Sequence, residues 1–394
     1  MSRRAIIAGA GIGGLATAIA LSQTGFNVTL YERTNELGEY GAGLQLTPNA
    51  TRILSQLGML DRLRPFASRP YAIQALRGSD DANLMRLPLD DAERRWGAPY
   101  LVIHRADLQR ALVEAVRGQA AVELSLGTSV IGFSSDGGRI SVDLRRGSTL
   151  ASDDADLLIG ADGLGSQVRD RLGLGAADRA DFSGWVAYRA IVSADDDNPQ
   201  WMGSDIVLRL GPEAHLVQYP LRVGSIINLV ATISSAWRGG GADRQWDDPA
   251  DRFILERAFA GWSKQTRTLI DAPTQWRAWP LYSRPPIASF SRGRVALVGD
   301  AAHPMVPFLA QGAAQAIEDA GALGRILAQV RDVPAALAIY SGDRVARATR
   351  VQREAVKQGR IYHLSGPLAF ARDVTMRMLG PRRLSDRYDW LYSA

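Results

Sequence analysis

The chain contains short, predominantly apolar runs, each followed by a glycine-rich turn or by a longer segment with helical spacing. Four of these runs occupy residues 4–8, 27–31, 157–159 and 295–298. A strand that is apolar on both faces, without alternation, is typical of a parallel sheet covered by helices on both sides. The pattern therefore predicts an α/β core built on a parallel sheet.

A different pattern begins near residue 182 and continues to about residue 279. Aromatic residues become frequent there, and seven of the nine tryptophans fall in this stretch: Trp185, Trp201, Trp237, Trp246, Trp262, Trp276 and Trp279. Aromatic-rich strands can wall an apolar pocket, although several of these rings must simply fill a core. Residues 71–96, with strand-like pieces, acidic turns and Pro88, predict an earlier excursion into the same second domain.

Three kinds of segment result from this division. We expect a discontinuous nucleotide-binding domain, a sheet domain inserted in two pieces, and a helical C-terminus. The boundaries are 1–70, 97–180 and 281–350 for the first domain, 71–96 and 181–280 for the second, and 351–394 for the helical segment. Within the last part, residues 335–358 have the periodicity of a long amphipathic helix, and residues 359–379 continue helically after a break.

Composition excludes several classes of protein. The sequence is 46% hydrophobic and 22% charged, with a net charge of +5 from scattered arginines, so we expect no nucleic-acid partner. No apolar run approaches the roughly 18 residues of a membrane span, and no secretory leader precedes the first strand, so a cytoplasmic location is expected. The absence of cysteine removes disulfides and thiolate chemistry, and with four histidines we expect no metal site.

The first strand leads into a dinucleotide-binding fingerprint. Gly9, Gly11 and Gly14 follow the strand and open a helix, and Glu32 ends the next strand, eighteen residues after Gly14. In this context Gly9 allows the tight turn, Gly11 lets a pyrophosphate approach the backbone, and Gly14 permits close packing of helix on strand. Glu32 can accept both hydroxyls of an adenosine ribose. Arg33, directly after it, is either a nucleotide contact or a solvated surface residue.

A second constellation follows the run at residues 295–298. Asp300 lies at the carboxyl end of that strand, where open α/β sheets bind ligands. Pro307 keeps the following loop out of helix, and a helix opens at Gly312, Ala313 and Ala314. The small side chains let a flat group lie against backbone N–H groups, and the positive end of the helix favours an anion.

A third motif is the tight turn after residues 157–159, which contains Asp162. Ser166 is a suitable cap for the helix that follows, and Arg169 lies within that helix. Taken alone, Asp162 could serve only as an Asx-turn between strand and helix.

The three motifs, in this order and at this spacing, resemble those of the FAD-dependent aromatic hydroxylases, such as the salicylate, 3-hydroxybenzoate and 6-hydroxynicotinate hydroxylases. The resemblance covers nearly the whole chain. It implies a Rossmann-type FAD-binding domain, as in para-hydroxybenzoate hydroxylase, with an inserted β-sheet substrate domain and C-terminal helices. It also implies that Asp162 contacts the pyrophosphate indirectly and that Arg105 points at the ribityl–phosphate region, the alternative for Arg105 being a surface ion pair with Asp107 or Glu114. Arg169 becomes either an NAD(P)H contact or a surface ion pair.

One strand in the aromatic region carries candidate chemistry. His215, Val217 and Tyr219 share one face of it, which places an imidazole and a phenol roughly 7 Å apart. A phenolic ring must lose its proton, or nearly so, to attack an oxygen, and histidine is suited to accept that proton near neutral pH. The pair resembles the His and Tyr of 3-hydroxybenzoate hydroxylases. We therefore predict His215 as the base and Tyr219 as a hydrogen-bonding partner of the substrate.

The residues that would select the substrate are less defined. Gln45 stands where the 6-hydroxynicotinate enzymes carry a histidine, and it is either a substrate contact or ordinary packing. A carboxylate substrate would favour an arginine. Arg189, Arg209 and Arg222 are the candidates.

We therefore predict a class A flavin monooxygenase that hydroxylates a phenolic or N-heteroaromatic acid with NADH or NADPH and O2, through a flavin C4a-hydroperoxide. Two alternatives remain at this point: an FAD-dependent NAD(P)H dehydrogenase or quinone reductase, and a non-redox binding protein with an FAD fold. The sequence leaves open the ring, the position attacked, a coupled decarboxylation and the choice between monomer and homodimer.

Overall fold

The computed structural model describes residues 3–38, 43–136, 138–174, 179–194, 203–236 and 248–393. Its strands are β1 Arg3–Ala8, β2 Phe26–Glu32, β3 Gly43–Leu46, β4 Ala72–Arg77, β5 Asn83–Pro88, β6 Leu101–His104, β7 Val122–Leu126, β8 Ser129–Ser135, β9 Ile140–Arg146, β10 Thr149–Ala155, β11 Leu157–Gly160, β12 Asp181–Ser193, β13 Ile206–Gly211, β14 Ala214–Leu221, β15 Ile226–Ser234, β16 Asp248–Pro249, β17 Arg277–Ser283, β18 Ser291–Arg292 and β19 Val295–Leu297.

Helices connect and cover these strands. They are α1 Ile12–Ser22, α2 Pro48–Gln56, α3 Leu60–Leu63, α4 Ala92–Trp96, α5 Arg105–Arg117, α6 Gln167–Leu172, α7 Arg252–Ala258, α8 Lys264–Asp271, α9 Gly312–Gln329, α10 Val333–Tyr362, α11 Gly366–Met378 and α12 Pro381–Tyr392. Of the tryptophans expected in the second domain, Trp201, Trp237 and Trp246 lie outside the described residues.

The first sheet has six strands in the order β18-β19-β11-β1-β2-β7, and only β18 runs antiparallel to its neighbour. The four apolar runs found in the sequence are its four central strands, β19, β11, β1 and β2. Side chains such as Ile6 and Ile159 are fully buried, because helices such as α1 and the strands β8 and β10 pack against the sheet. The α/β prediction is confirmed.

Helices α1 and α9 pack closely together on this sheet through small residues. A Cβ added at Gly13 would lie 3.2 Å from the Cβ of Ala316, and one added at Gly324 would lie 3.1 Å from the Cβ of Ala20. Because α1 follows β1 and α9 comes after β19, both helices begin near the same edge of the sheet. Their N-termini therefore open towards one cleft.

The second sheet has eight strands in the order β16-β17-β12-β15-β14-β13-β4-β5. A parallel pairing of β13 with β4 joins the segment at residues 71–96 to the segment at 181–280 in this one sheet. The prediction of a sheet inserted in two pieces agrees with this arrangement. A separate antiparallel sheet of β8, β9 and β10 flanks the first sheet.

The C-terminal helices lie across the second sheet rather than apart from it. Helix α10 continues unbroken through residue 350, where the helical segment was expected to begin separately, and it ends at Tyr362 instead of breaking near residue 359. Arg347 of α10 donates to the backbone carbonyls of Trp390 and Leu391, which anchors the end of α12. Among the described residues no helix is both long and apolar enough to cross a membrane.

Candidate active site

The glycine turn between β1 and α1 is tightly packed on one side and open on the other. A Cβ at Gly9, where φ is +102°, would lie 2.5 Å from the carbonyl oxygen of Ala161, and a Cβ at Gly14 would lie 1.9 Å from that of Gly9. At Gly11, in contrast, an added Cβ meets nothing within 4 Å. Gly9 and Gly14 are thus required by the protein's own packing, whereas Gly11 faces free space at the start of a helix.

Glu32 lies beside this turn. Its carboxylate accepts hydrogen bonds from the backbone N–H of Ala10 at 2.8 Å and of Thr34 at 3.0 Å. These bonds hold the side chain at the end of β2, next to the helix N-terminus. Arg33 points to solvent and is exposed.

Arg105 begins α5 and is half-buried. It forms no hydrogen bond or ion pair with any residue that the structure describes. Asp107, which the sequence offered as a surface partner for Arg105, pairs with Arg110 and Arg222 instead. Burial lowers the pKa of the Arg105 guanidinium, and the nearby Asp300 carboxylate opposes this shift. A buried cation without a bonded partner favours an anionic ligand.

Asp300 follows β19 and faces the same cleft. Water reaches its side chain, yet protein surrounds it closely enough that desolvation raises the pKa of the carboxyl, with His303 and Arg105 opposing the rise. His303 itself is buried, and its Nε2 lies 2.6 Å from Asp319, which also accepts from the backbone N–H of Gly299. His303 therefore helps to fix this loop.

The third motif is positioned by its own helix and by the neighbouring loop. The Asp162 carboxylate accepts from the hydroxyl of Ser166 and from the backbone N–H of Val168, so it caps the start of α6. Arg169 is fully buried and donates to the carbonyls of Ala301 and Ala302 at 3.0 and 2.9 Å. The prediction of a nicotinamide contact or a surface ion pair for Arg169 finds no support. Its guanidinium is buried and bonded to the backbone of the loop that follows Asp300.

The start of α9 also opens onto free space. Pro307 begins a short 3₁₀ turn, Ala310 adopts a left-handed φ of +53°, and Gln311 then precedes α9 without a side-chain hydrogen bond to the first backbone N–H groups of that helix. A Cβ added at Gly312 would meet nothing within 4 Å. The first N–H groups of an 18-residue helix are therefore available to a ligand, as expected for Gly312, Ala313 and Ala314.

A second, mostly apolar cavity lies between the eight-stranded sheet and the C-terminal helices. Its volume is about 120 Å³, close to the ~150 Å³ of an engineered cavity that holds benzene. Strands β4, β5, β13 and β14 form one wall, and residues of α10, α11 and α12 form the other. The lining includes Leu208, Val217, Phe308, Tyr362, Met376 and Leu384. A single aromatic ring matches this space.

His215 faces this cavity and is almost fully buried. Its Nδ1 lies 2.8 Å from Nε2 of His363, so only its Nε2 remains to meet a ligand. The rings of Phe308 and Tyr362 lie 5.6 and 5.5 Å from the imidazole. Burial, with a smaller contribution from His363, holds the pKa of His215 well below its usual value. The imidazole is consequently neutral near neutral pH.

Tyr219 occupies the expected face of β14 but not the cavity wall. Its phenol packs against Gly43, where an added Cβ would lie 2.4 Å from Cε2 of the ring, and burial raises its pKa. The direct substrate contact expected of Tyr219 finds no support in this position. Gln45 does line the cavity, and its Oε1 accepts a hydrogen bond of 2.6 Å from Tyr100.

None of the three candidate arginines lines the cavity. Arg222 pairs with Asp107 at 3.0 Å, and Arg209 is buried between Asp81 and Gln218. The guanidinium of Arg189 lies over the Trp279 ring, 4.8 Å from its centroid. Each of the three arginines that we considered for a substrate carboxylate therefore contacts other groups of the protein instead.

The comparison with known proteins decides between the remaining interpretations. The profile of a family described as "FAD binding domain" matches residues 3–355, which is most of the chain. The chain belongs to this FAD-binding family. A 3-hydroxybenzoate 6-hydroxylase of Polaromonas naphthalenivorans is 37% identical over 392 residues, covering 98% of this chain and 95% of the relative. A 6-hydroxynicotinate 3-monooxygenase of Bordetella bronchiseptica is 35% identical, covering 89% of this chain and 90% of its own.

Solved structures give the same result. Klebsiella pneumoniae HpxO, crystallised with FAD and uric acid, has a TM-score of 0.87 and 28% identity, and the match covers 99% of this chain and 96% of that chain. A salicylate hydroxylase in complex with its substrate has a TM-score of 0.84 and 26% identity, covering 100% and 96%. The protein is an FAD-dependent aromatic-ring monooxygenase, and the predicted family and fold are confirmed.

The cleft of this flavoprotein suits FAD. The space at Gly11, the start of α9 and Arg105, which has no bonded partner in the part of the chain that the structure describes, provide backbone N–H groups and a cation for a phosphorylated, partly anionic group. The rigid turn held by Gly9 and Gly14 keeps that surface in place. The chemistry and shape of the described residues therefore fit the cofactor that the family requires.

Two residues at the pocket were missed in the sequence. His363 and Arg387 lie 148 and 172 positions after His215, on segments whose periodicity showed only helices. The sequence contains only four histidines, and His363 follows directly after a long helix. The small number of histidines was the one available signal, and it did not indicate that His363 would lie next to His215.

Proposed function

We propose that this flavoprotein hydroxylates the ring of a phenolic or N-heteroaromatic acid, with His215 accepting the proton of the ring hydroxyl at Nε2. The observation that carries the proposal is a buried, neutral imidazole facing a ring-sized cavity. Relatives named for 3-hydroxybenzoate, 3-amino-4-hydroxybenzoate and 6-hydroxynicotinate support a substrate with a hydroxylated ring and a carboxylate. NADH or NADPH and O2 would be the co-substrates.

We assign the cofactor's diphosphate to the turn at Gly9, Gly11 and Gly14, and its adenosine ribose to Glu32. Arg105 would bind the phosphate or ribityl region, because it is a cation without another bonded partner. Arg33 is exposed and close to Glu32 in sequence, so we keep it as a contact at the adenosine end. Asp162 acts indirectly, by fixing the turn against which Gly9 packs.

At the other end of the cleft, Asp300 would hold the ribityl chain. The flavin ring would lie between Pro307 and the helix start at Gly312, Ala313 and Ala314, whose positive end stabilises charge on the pyrimidine edge. Bound FAD supplies the transfer of electrons from the nicotinamide and the activation of O2. The chain's own residues bind and orient the ring, exclude water and move the proton.

The cavity walls would hold the substrate ring between aliphatic and aromatic side chains. A phenol, with a pKa of about 10, is much less acidic than the imidazolium of His215, whose pKa lies below the usual histidine value. His215 would therefore act as a general base while the ring's electrons move, rather than by forming a stable phenolate first. Gln45, held by Tyr100, would orient a polar substituent.

A carboxylate substrate would favour a cation, and among the described residues Arg387 of α12 is the arginine that lines the cavity. It forms no hydrogen bond or ion pair with another described residue. Burial raises the pKa of the neighbouring Tyr388, and Arg387 opposes that rise, so the guanidinium acts on groups at the cavity wall. Arg387 thus replaces Arg189 and Arg222 as our candidate for the carboxylate.

The test uses the purified holoenzyme with NADH, oxygen and a panel of aromatic acids. We would add 3-hydroxybenzoate first, then salicylate, 4-hydroxybenzoate and 6-hydroxynicotinate, with benzoate as the control that lacks a ring hydroxyl. NADH loss, peroxide and hydroxylated product are recorded together. We expect at least one hydroxylated acid to give product with little peroxide, and benzoate to give none.

The role of His215 is tested in the same assay. His215→Ala should retain FAD but lower turnover about 10²- to 10⁴-fold, the usual range for a general base. Unchanged turnover would remove His215 from the mechanism. Slow NADH loss with every acid, together with rapid reduction of a quinone, would instead favour the dehydrogenase alternative.

A further inference from the structure

His363 lies beside His215 and is not among the described residues that line the cavity. It is the C-cap residue of α10, and its backbone N–H donates to the carbonyl of Gly359 at 3.2 Å. Its ring stacks on Trp185, with centroids 3.8 Å apart and planes 20° apart. Phe308 meets the ring edge-on, with its ring centroid 5.6 Å away and the planes 76° apart. The imidazole is therefore held by packing in one orientation, with Nε2 aimed at Nδ1 of His215.

The contact between the two rings contains one proton, and its position decides what His215 can do. If Nδ1 of His215 carries the proton and donates it to His363, then Nε2 of His215 is bare and can accept a proton from the substrate. If His363 donates instead, Nε2 of His215 carries hydrogen and can only donate. Only the first arrangement suits a base.

We propose that His363 is the positioning residue of the hydroxylation reaction: by accepting the Nδ1–H of His215, it selects the tautomer that can act as base and stabilises the imidazolium formed when the substrate's proton arrives. This inference rests on the proposed role of His215. The proton moves from the substrate hydroxyl to Nε2 of His215, while the Nδ1–H stays in its bond to His363. A hydrogen bond from a charged donor is about twice as strong as a neutral one, so the contact strengthens during the reaction.

The surroundings allow His363 to act as an acceptor. Burial lowers the pKa of His363 to about 4, so its ring is neutral at working pH and can accept through Nε2. The titratable or charged groups near it are His215 on β14, Tyr362 on α10 and Arg372 on α11, and Arg372 is neutralised by Asp373. Trp185, stacked on the ring, and Phe308, packed edge-on against it, carry no charge.

Two substitutions separate the acceptor from the packing. His363→Phe keeps a ring on Trp185 but removes the nitrogen, whereas His363→Gln removes the ring but can place an oxygen near the position of Nε2. In the holoenzyme with its aromatic substrate, His363→Phe should lower kcat about 10- to 100-fold, the size seen when the partner that orients a functional histidine is removed. KM and FAD content should change little, and His363→Gln should restore much of the rate.

The pH profile provides a readout that a purely structural role would not move. The charge repulsion by which His363 lowers the pKa of His215 requires a charged His363, and at a pKa of about 4 this ring is neutral in the assay. Loss of the acceptor therefore leaves the imidazolium of His215 less stable and lowers its pKa, so the acid limb of kcat should shift to lower pH while the plateau drops. In a His215→Ala background, His363→Phe should have no further effect, because His363 acts only through His215. Equal losses in both backgrounds, or a wild-type rate and profile in His363→Phe, would overturn the proposal.

A spectroscopic measurement distinguishes a failure of the role proposed for His363 from a failure of the proposed function. The chain has four histidines, His104, His215, His303 and His363, so ¹⁵N-histidine NMR of the holoenzyme can be assigned with single variants. We expect Nδ1 of His215 to be protonated and Nε2 bare, and this preference to be lost in His363→Phe. The opposite tautomer refutes the role of His363 directly. The expected tautomer together with unimpaired turnover in His215→Ala refutes the proposed base, and with it the catalytic significance of the pair.

Discussion

Gly11 and Gly14 belong to the same turn but should fail in different ways when alanine replaces them. At Gly11 an added Cβ meets no protein atom within 4 Å, and its φ of −71° is open to any residue. At Gly14 the same Cβ would lie 1.9 Å from the carbonyl oxygen of Gly9, so the turn must move. Gly11→Ala fills space that we assign to the cofactor, whereas Gly14→Ala displaces the protein's own backbone.

The magnitudes follow from these distances. Gly11→Ala should cost the cofactor-free protein about 1 kcal/mol or less, because alanine is a poorer helix N-cap than glycine. Losing one hydrogen bond from the backbone to a charged phosphate costs about 1.5–3 kcal/mol, which weakens FAD binding about 10- to 150-fold. Gly14→Ala should destabilise the cofactor-free protein by about 1–3 kcal/mol or more, as overpacking does, and should weaken FAD binding as a consequence.

The assay titrates cofactor-free protein with FAD, followed by quenching of flavin fluorescence, and measures thermal unfolding of the same samples by circular dichroism. Gly342→Ala, in helix α10, is the matched control, because an added Cβ there also meets nothing within 4 Å. It should leave FAD affinity unchanged. Wild-type affinity in Gly11→Ala would refute the assignment of the diphosphate to this turn, and an unaltered melting temperature in Gly14→Ala would refute the packing argument.

Arg344 is bonded to Glu318 at 2.5 Å and to Asp319 at 2.7 Å inside the protein. Burial raises the pKa of both carboxyls, but His303 and Arg344 at Asp319, and Arg347 and Arg344 at Glu318, outweigh it and hold both pKa values below their usual range. That stabilisation is present above the carboxyls' unfolded pKa and is lost as pH falls through the folded one. Arg344→Met should therefore cost about 3–5 kcal/mol near pH 7.5 and less near pH 5, where Asp319 can be protonated in the variant. Urea unfolding at both pH values measures this, and a loss that does not vary with pH would contradict it. Arg387→Gln should raise KM for a carboxylate substrate about 10- to 150-fold while kcat changes less, because a charged hydrogen bond to the bound acid is lost. Steady-state kinetics with the identified acid tests this, and an unchanged KM would remove Arg387 from the substrate site.

Part of this protein was determined locally. The glycine turn, the small residues at the start of α9 and the apolar central strands each follow from neighbouring residues and backbone sterics, so they could be predicted from sequence. The alternation of β14 also placed His215 on the correct face of its strand. In each case the pattern that carried the prediction spans only a few neighbouring residues along the chain.

Other assignments depended on long-range pairing, and these were less predictable. Arg222 has the charge expected of a carboxylate-binding residue, but its guanidinium forms an ion pair with Asp107, 115 positions earlier. Arg169 lies in a helix whose pattern gave no sign that it would be buried beneath Ala301 and Ala302. A cation's partner is chosen by three-dimensional proximity, and periodicity shows only which face of an element a residue occupies.

The substrate pocket shows the same division. Sequence by itself predicted the nucleotide-binding fold and the histidine that faces the cavity. Only the tertiary structure decided that helices beyond residue 350 close the cavity, that His363 lies behind His215 and that Arg387 reaches the wall. The physical reason is that a pocket is formed where separately predicted elements pack together, and the packing of α10–α12 on the sheet involves contacts between residues more than 100 positions apart.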